Sequence, residues 1–371
     1  MRNILIYYII ERRNALKSKA IFKFGVIALS IVLVACSGGS SDEAGCPAIE
    51  DRKINVVATT PMIGEFVSQV GGDNINLTVI MPPEADPHTY EPAPQDAGTI
   101  ADADLVFYTG LKYEPAAVIK LLESSACSTD VLAEVGENVY PIEFKEGGHD
   151  DHGDHGEEGH DDHDDEEGHD DHDDEEGHDD EEGHDDHDGH EGHDHGAYDP
   201  HFWFDPNRVA YAAEYIEGKL VEFDPSNTAS YESAGSAYTD ELNGLIGQVS
   251  DLISTVPSQN RKLITTHESL GYLEAKFGLE VLSTIIPSLD SANEISPAQL
   301  VDVIDVIEDN NLKVIFIESE APSVYAETIV SETGIKAVEG LWVETLKEGQ
   351  SYPDFLISAV ELIVENLRNT D

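Results

Sequence analysis

A stretch of 47 residues, from His149 to His195, contains only histidine, aspartate, glutamate and glycine. This acidic histidine tract has no apolar side chain, so it can bury nothing and cannot contribute to a packed core. Any fold must therefore be built from the 324 residues on either side of it. Their composition is ordinary, and their number suffices for two compact domains or one large one.

The charge of the chain argues for cations as its ligands. The formal charge is −56, and the tract supplies 26 of the 76 acidic residues and no lysine or arginine. The remaining residues are still acidic, with 50 acids against 20 bases. Because binding to nucleic acids is driven by basic surface, this balance argues against a nucleic-acid partner.

The N-terminal residues resemble the signal of a bacterial lipoprotein. Basic residues precede a short apolar run at positions 24–35, which ends at Cys36 and is followed by serines and glycines. Such a run is too short to span a bilayer comfortably and is typical of an export signal. We therefore predict a signal peptide over residues 1–35, lipidation of Cys36 and a flexible tether over residues 36–51. The mature protein is expected at the cell envelope, anchored to a membrane through its lipid.

Two further cysteines, Cys46 and Cys127, are 81 positions apart. In an exported protein an even number of remaining cysteines favours a disulfide. Spacing alone does not exclude two free thiols. Neither cysteine has the spacing of a zinc site.

Apolar segments outside the tract alternate between strand-like and helix-like patterns. The alternation predicts an α/β fold with mainly parallel central sheets. We predict a first lobe over residues 52–223, interrupted by a disordered loop at 146–197, and a second lobe over residues 258–371. The strand-like segments lie at residues 54–60, 76–80, 104–108, 262–266, 280–286 and 314–317, and the helix-like segments at 61–70, 94–103, 115–124, 268–277, 322–333 and 352–366, with a further helix that opens at Ser296.

Between the two predicted lobes, residues 224–257 carry a narrow apolar seam. Its members recur at alternating intervals of four and three positions, and they are Tyr238, Leu242, Leu245, Val249, Leu252 and Val256. This spacing predicts one long helix that links the lobes.

Only three histidines lie outside the tract: His88, His201 and His267. His88 and His267 follow predicted strands, and ligand sites in α/β sheets form at the carboxyl ends of strands. His88 and His201 each follow an Asp-Pro pair, and proline restricts the backbone before the histidine. We therefore treat the three histidines as candidate metal ligands.

Four segments together resemble the zinc- and manganese-specific solute-binding lipoproteins of bacterial ABC transporters. The similarity covers roughly residues 52–369, and any single segment would be weak evidence. The segments are residues 86–92 with His88, residues 199–203 with His201, residues 266–279 with His267, and residues 341–346 with Glu344.

The resemblance implies two α/β lobes joined by a long helix, with a metal held in the cleft between them. His88 and His201 would come from the first lobe, and His267 and Glu344 from the second. The family often has aspartate where this chain has Glu344, so Glu318 and water remain alternatives for the fourth ligand. The implied partner is a membrane permease of an ABC transporter, and the protein is expected to be a monomer.

Three imidazoles and one oxygen suit tetrahedral Zn²⁺, whereas manganese prefers more oxygen ligands. Manganese members of the family tend to have glutamate at the position of His267. We therefore expect Zn²⁺ as the transported ligand, with Mn²⁺ as the alternative.

The tract is predicted to bind zinc weakly at many sites and to act as a collector or reservoir. Its histidines are His149, His152, His155, His160, His163, His169, His172, His178, His184, His187, His190, His193 and His195.

A zinc hydrolase is the main alternative from another class, because three histidines and an open position also describe a catalytic site. The sequence has no His-Glu-x-x-His and no Gly-x-Ser-x-Gly motif. We therefore predict a carrier rather than an enzyme. An adhesin role is compatible with the same fold and is not tested by the sequence.

Overall fold

The computed structural model describes Cys46 and residues 52–144, 198–320 and 324–368. The predicted signal peptide, the lipidation site Cys36, most of the tether and the acidic histidine tract lie outside these residues. The described residues belong to one compact unit.

The first lobe contains a four-stranded parallel sheet in the order β2-β1-β3-β4. Its elements are β1 Ile54–Ala58, α1 Pro61–Gly71, β2 Ile75–Val79, α2 Pro94–Ala101, β3 Leu105–Tyr108, α3 Ala116–Ser125 and β4 Leu132–Glu134. The start of α1 follows from the sequence, since Thr60 Oγ1 accepts the N–H of Ile63 and Pro61 takes the first helical position. The sequence patterns missed β4, which has only three residues.

Two consecutive helices follow the first sheet: α4 Pro206–Phe223 and α5 Thr228–Ser254. The sequence analysis did not predict α4, and it placed the start of the long helix at residue 224. The structure has a 3₁₀ turn at Pro225–Asn227 instead, because the Asp224 carboxylate accepts hydrogen bonds from Ser226 Oγ and Asn227 Nδ2. The predicted seam faces inward, and Tyr238, Leu242, Leu245 and Val249 are buried.

The second lobe contains two parallel strand pairs, β5–β6 and β7–β8. Its elements are β5 Lys262–His267, α6 Gly271–Phe277, β6 Glu280–Ile286, α7 Pro297–Asp309, β7 Val314–Glu318, α8 Ala326–Thr333, β8 Lys336–Leu341 and α9 Tyr352–Leu367. The predicted capping box at the start of α7 is present between Ser296 and Gln299. The prediction that a helix begins at Glu268 is wrong. The Ser269 N–H turns back to the His267 carbonyl, and α6 begins only at Gly271.

One hydrophobic cluster runs through both lobes. It includes Phe107 of the first sheet, Leu245 of α5, Phe316 of β7 and Phe355 of α9, all buried. The α/β class with parallel sheets is confirmed, whereas the lobe boundaries at 223/224 and 257/258 stay predictions. Within the described ranges, no helix has both the length and the apolar character needed to cross a bilayer.

A disulfide joins Cys46 to Cys127, which lies just beyond α3. The Cα–Cα distance of 5.1 Å lies in the range that a disulfide requires. The bond ties the segment that precedes β1 to the first lobe.

Replacing both Cys46 and Cys127 with serine is expected to lower the free energy of unfolding by about 2–5 kcal/mol, because the bond limits the freedom of the unfolded chain. Denaturant unfolding without reductant measures the change. Wild-type protein unfolded with reductant is the control and should resemble the variant. Equal midpoints for oxidised wild type and variant would contradict a stabilising bond.

Candidate metal centre

Four of the predicted site residues meet at one place. His88 lies in the loop after β2, His201 lies just before α4, His267 ends β5, and Glu344 lies in the loop after β8. One potential ligand atom from each side chain can be chosen so that all four lie within 4.8 Å of one another. The sequence-predicted set is therefore brought together in the fold, with contributions from both lobes.

The Glu344 carboxylate faces all three rings. Its Oε1 lies 3.2 Å from His88 Nε2, 3.3 Å from His201 Nε2 and 2.7 Å from His267 Nε2. In a tetrahedral zinc site with ligand bonds of 2.0–2.1 Å, neighbouring donor atoms are about 3.3 Å apart. His267 Nε2 is buried and makes no hydrogen bond despite its closeness to Oε1. The donor set and this unpartnered nitrogen fit a small cation.

The centre is enclosed by protein. His201 and His267 are fully buried and Glu344 is 1% exposed, while 5% of the His88 side chain is accessible. A cation here would have four protein donors and little contact with water. Entry or departure therefore requires movement of the surrounding residues.

The repeated Asp-Pro-His motif has a local role that sequence reasoning missed. The Asp86 carboxylate accepts the backbone N–H of His88 at 3.0 Å, and the Asp199 carboxylate accepts that of His201 at 2.8 Å. In each motif the aspartate fixes the turn that carries the histidine. The repetition of the motif was the signal available in the sequence.

Two carboxylates orient the buried rings from behind. Asp199 Oδ1 lies 2.8 Å from His201 Nδ1, and Glu318 Oε2 lies 2.5 Å from His267 Nδ1. When Nδ1 donates to a carboxylate, Nε2 is left with a lone pair directed into the centre. Glu318 thus contacts the ring nitrogen opposite the centre, and its Oε1 accepts from Ser269 Oγ and the His267 N–H. The structure thus places Glu318 behind the ring of His267, whereas Glu344 lies among the three imidazoles.

Replacing Glu318 with glutamine is expected to weaken metal binding by about 10–100-fold, because the ring of His267 loses the charge that raises its basicity and fixes its orientation. Competition with a chelator of known affinity measures the change. The same substitution at Glu339, an exposed residue of the neighbouring strand, is the control. Unchanged affinity in the Glu318 variant would remove this carboxylate from a supporting role.

The backbone that carries Glu344 is held from both sides. The Trp203 indole N–H donates to the Val343 carbonyl at 2.8 Å, and Tyr113 Oη lies 2.9 Å from the Glu344 carbonyl. On the other side, Glu320 Oε1 accepts the N–H groups of residues 343–345. Burial raises the pKa of Glu320 to about 8. Sequence reasoning missed these supports, since only Trp203 lies inside a recognisable motif.

The charges of the centre shift the pKa values of its members. Burial lowers the pKa of His201, but the Glu344 carboxylate and the hydrogen bond to Asp199 outweigh burial and raise it to about 9. Burial likewise opposes the rise of the pKa of His267, which Glu318 and Glu344 hold well above its ordinary value. Although burial raises the pKa of Glu344, the three histidines hold it well below the usual range. Without a metal, the centre therefore retains protons on imidazole beside an ionised carboxylate.

The described residues that flank the acidic histidine tract lie next to each other. Glu143 and Tyr198 form an antiparallel bridge, and the Asp199 N–H donates to the Ile142 carbonyl at 3.0 Å. The re-entry point is three positions before His201 in the sequence. The thirteen tract histidines themselves lie outside the described residues.

A family model described as zinc-uptake complex component A, periplasmic, matches residues 56–366. The high-affinity zinc uptake system protein ZnuA of Bacillus subtilis is 28% identical over 92% of this chain and 96% of its own length. The manganese ABC transporter substrate-binding lipoprotein PsaA of Streptococcus mitis is 26% identical over 91% of this chain and 95% of its own length.

Solved structures share the fold. The periplasmic zinc-binding protein TroA from Treponema pallidum superposes with a TM-score of 0.65 at 21% identity, covering 85% of this chain and all of that one. A manganese-bound periplasmic metal-binding protein from Candidatus Liberibacter asiaticus gives a TM-score of 0.63 at 22% identity, over 85% of this chain and 100% of its own.

Proposed function

We infer the function from the family, because this chain belongs to the periplasmic zinc-uptake complex component A family. It is a metal-binding, substrate-binding component of an ABC transporter. The finer assignment that we propose is high-affinity capture of Zn²⁺ outside the cytoplasm and its delivery to the membrane permease.

The convergence of three imidazole Nε2 atoms on Glu344 Oε1 is the observation that carries this proposal. His88, His201, His267 and Glu344 are the proposed ligands, and Glu318 orients His267. Three nitrogens and one oxygen in a closed, four-donor set match the preference of Zn²⁺. Mn²⁺ favours six oxygen-rich ligands, which the described centre does not offer.

Manganese is the second candidate, because relatives of similar identity carry manganese in their names. Titration of the mature chain with each ion in competition with a chelator separates the two. We expect one tight stoichiometric zinc site, with manganese bound more weakly by about a hundredfold or more. Tighter binding of manganese than of zinc would overturn the zinc assignment.

The closed centre also favours a carrier over a zinc hydrolase. Catalytic zinc sites keep an open position for water or substrate, whereas here the proposed fourth ligand, Glu344, faces all three imidazoles. Ligands from both lobes allow a modest movement of lobes or loops to break the site, and docking on the permease supplies a free-energy source for that movement.

The proposal includes a lipid anchor at Cys36 and a zinc-collecting role for the acidic histidine tract. The signal at residues 1–35 and the lipoprotein names of relatives support lipidation of Cys36 and attachment to the cell envelope. The tract would collect zinc beside His201, because clustered imidazoles and carboxylates bind it weakly at many sites.

Deleting residues 149–195 is expected to leave the zinc affinity of the tight site within about threefold of its original value. None of the four proposed donors of that site lies in the tract. The number of weakly bound zinc ions should fall. Glu143 and Tyr198, which flank the deletion, are bridged to each other, so a short glycine-serine linker suffices to close the gap. Equilibrium dialysis at two zinc concentrations measures both classes of site. Loss of the tight site would contradict the collector role.

A further inference from the structure

The Tyr113 hydroxyl donates to the Glu344 side chain. Its Oη lies 2.9 Å from Glu344 Oε2 and 2.9 Å from the Glu344 carbonyl, and the hydroxyl is buried. The two carboxylate oxygens therefore have different surroundings. Oε1 faces three imidazole nitrogens, while Oε2 faces the Tyr113 hydroxyl.

The backbone before Tyr113 is held in an unfavourable conformation. Gly110, Leu111 and Lys112 have φ values of 76°, 53° and 62°, all in the left-handed region. For the two residues with a Cβ, this conformation is unfavourable, because the Cβ crowds the neighbouring carbonyl oxygen. Strain of this kind persists only where surrounding contacts enforce it, and it concentrates at functional sites.

Two buried or half-buried carboxylates enforce the conformation. Glu114 accepts the Thr109 N–H at 2.6 Å and the Gly110 N–H at 2.9 Å. Glu134 Oε1 accepts the Leu111 N–H at 2.9 Å. The strained turn is thereby fixed to the carboxyl edge of the first sheet, with Tyr113 directed across to the second lobe.

The ring of Tyr113 is fixed as well. It makes edge contacts with Trp203 and with His88, each at a centroid distance of 5.2 Å. A tyrosine hydroxyl carries its proton at neutral pH, so it can donate to the carboxylate. Replacement by phenylalanine would remove one oxygen and leave the packing in place.

Resting on the proposed function, we propose that Tyr113 is a specificity-determining positioning residue that holds Glu344 as a one-oxygen ligand and so favours zinc over manganese. A carboxylate whose second oxygen accepts a hydrogen bond offers a metal only the first. The centre then has four donors, which suits tetrahedral Zn²⁺. Freeing Oε2 would let Glu344 bind through both oxygens and would add the oxygen donor that Mn²⁺ prefers.

The test compares Tyr113→Phe with wild type in the full mature chain. Zinc and manganese affinities are measured by chelator competition, and the d–d absorption of Co²⁺ is recorded at less than one equivalent, where the tight site fills first. Four-coordinate cobalt absorbs far more strongly than five- or six-coordinate cobalt. Tyr231→Phe is the matched control, because its buried hydroxyl donates to the Asp224 carboxylate and contacts neither the metal centre nor the turn before Tyr113.

We expect Tyr113→Phe to lower the ratio of manganese to zinc dissociation constants by about tenfold and to weaken the cobalt band, while Tyr231→Phe changes neither. An unchanged ratio and spectrum would overturn the role of Tyr113. Equal loss of affinity for both ions with an unchanged band would also overturn it, since that result describes a merely structural residue. A weak, six-coordinate cobalt band in wild type would instead refute the proposed zinc centre itself, and this inference with it.

Discussion

Zinc affinity is expected to fall by about a hundredfold or more when His88, His201 or His267 is replaced with alanine, because loss of a mere supporting contact already costs about 10–100-fold. Each ring supplies one of the four donor atoms that surround a single position. A metal bound to the remaining three would need water as its fourth ligand, in a centre that is closed to solvent.

His88→Ala is the cleanest of the three variants. His201 and His267 each pair with a buried carboxylate, so their removal leaves Asp199 or Glu318 without its imidazole partner and also destabilises the fold. Isothermal titration with a competing chelator measures affinity, and the melting temperature of the metal-free protein separates loss of ligand from loss of fold. His163→Ala, in the tract, is the matched control. An unchanged titration for any one of the three would remove that residue from the site.

The candidate ligands were accessible from sequence because histidine is scarce outside the tract. Three histidines remained once the tract was set aside, and all three meet in the structure. The apolar seam of α5 and the strands β1, β3 and β7 were accessible for a similar reason, since local periodicity and runs of apolar residues specify them.

Other parts of the centre depend on contacts between distant segments and were not accessible. The sequence shows that Glu318 ends a predicted strand, which made it a possible ligand. It does not show which side chain Glu318 contacts. That contact depends on the placement of β7 beside β5, where the Glu318 N–H donates to Thr266 Oγ1. This placement directs the Glu318 carboxylate to Nδ1 of His267, the ring nitrogen away from the centre. Tyr113 has no motif around it, and its role follows from a strained turn that no local pattern predicts. The short strand β4 and the strand β8, which contains a glycine and two charged residues, lack the apolar runs that reveal the others.

Zinc affinity is expected to fall by about a hundredfold per displaced proton between pH 8 and pH 6, because an imidazole must lose its proton before it can bind a metal. The pKa of His201 is about 9 in the metal-free fold, so this ring is charged over the whole interval. The pKa of His267 is also raised, and a second displaced proton would multiply the effect. Calorimetry in two buffers of different ionisation enthalpy counts the protons released.

The same charges predict an opposite trend for the stability of the metal-free protein. A histidine whose folded pKa lies above its unfolded value stabilises the fold fully below the unfolded pKa, here 6.5. That stabilisation is lost as the pH rises through about 9. The melting temperature of the metal-free protein should therefore decline from pH 6.5 to 9, while the increase caused by zinc grows. Glu344→Gln is the control, because it removes the carboxylate that favours the charged imidazoles and should flatten both trends.

Zinc affinity that stays constant from pH 6 to pH 8, with no proton release, would show that the centre binds zinc without first giving up a proton. In that case His201 and His267 would have to be neutral before the metal arrives, against the raised pKa values of both rings.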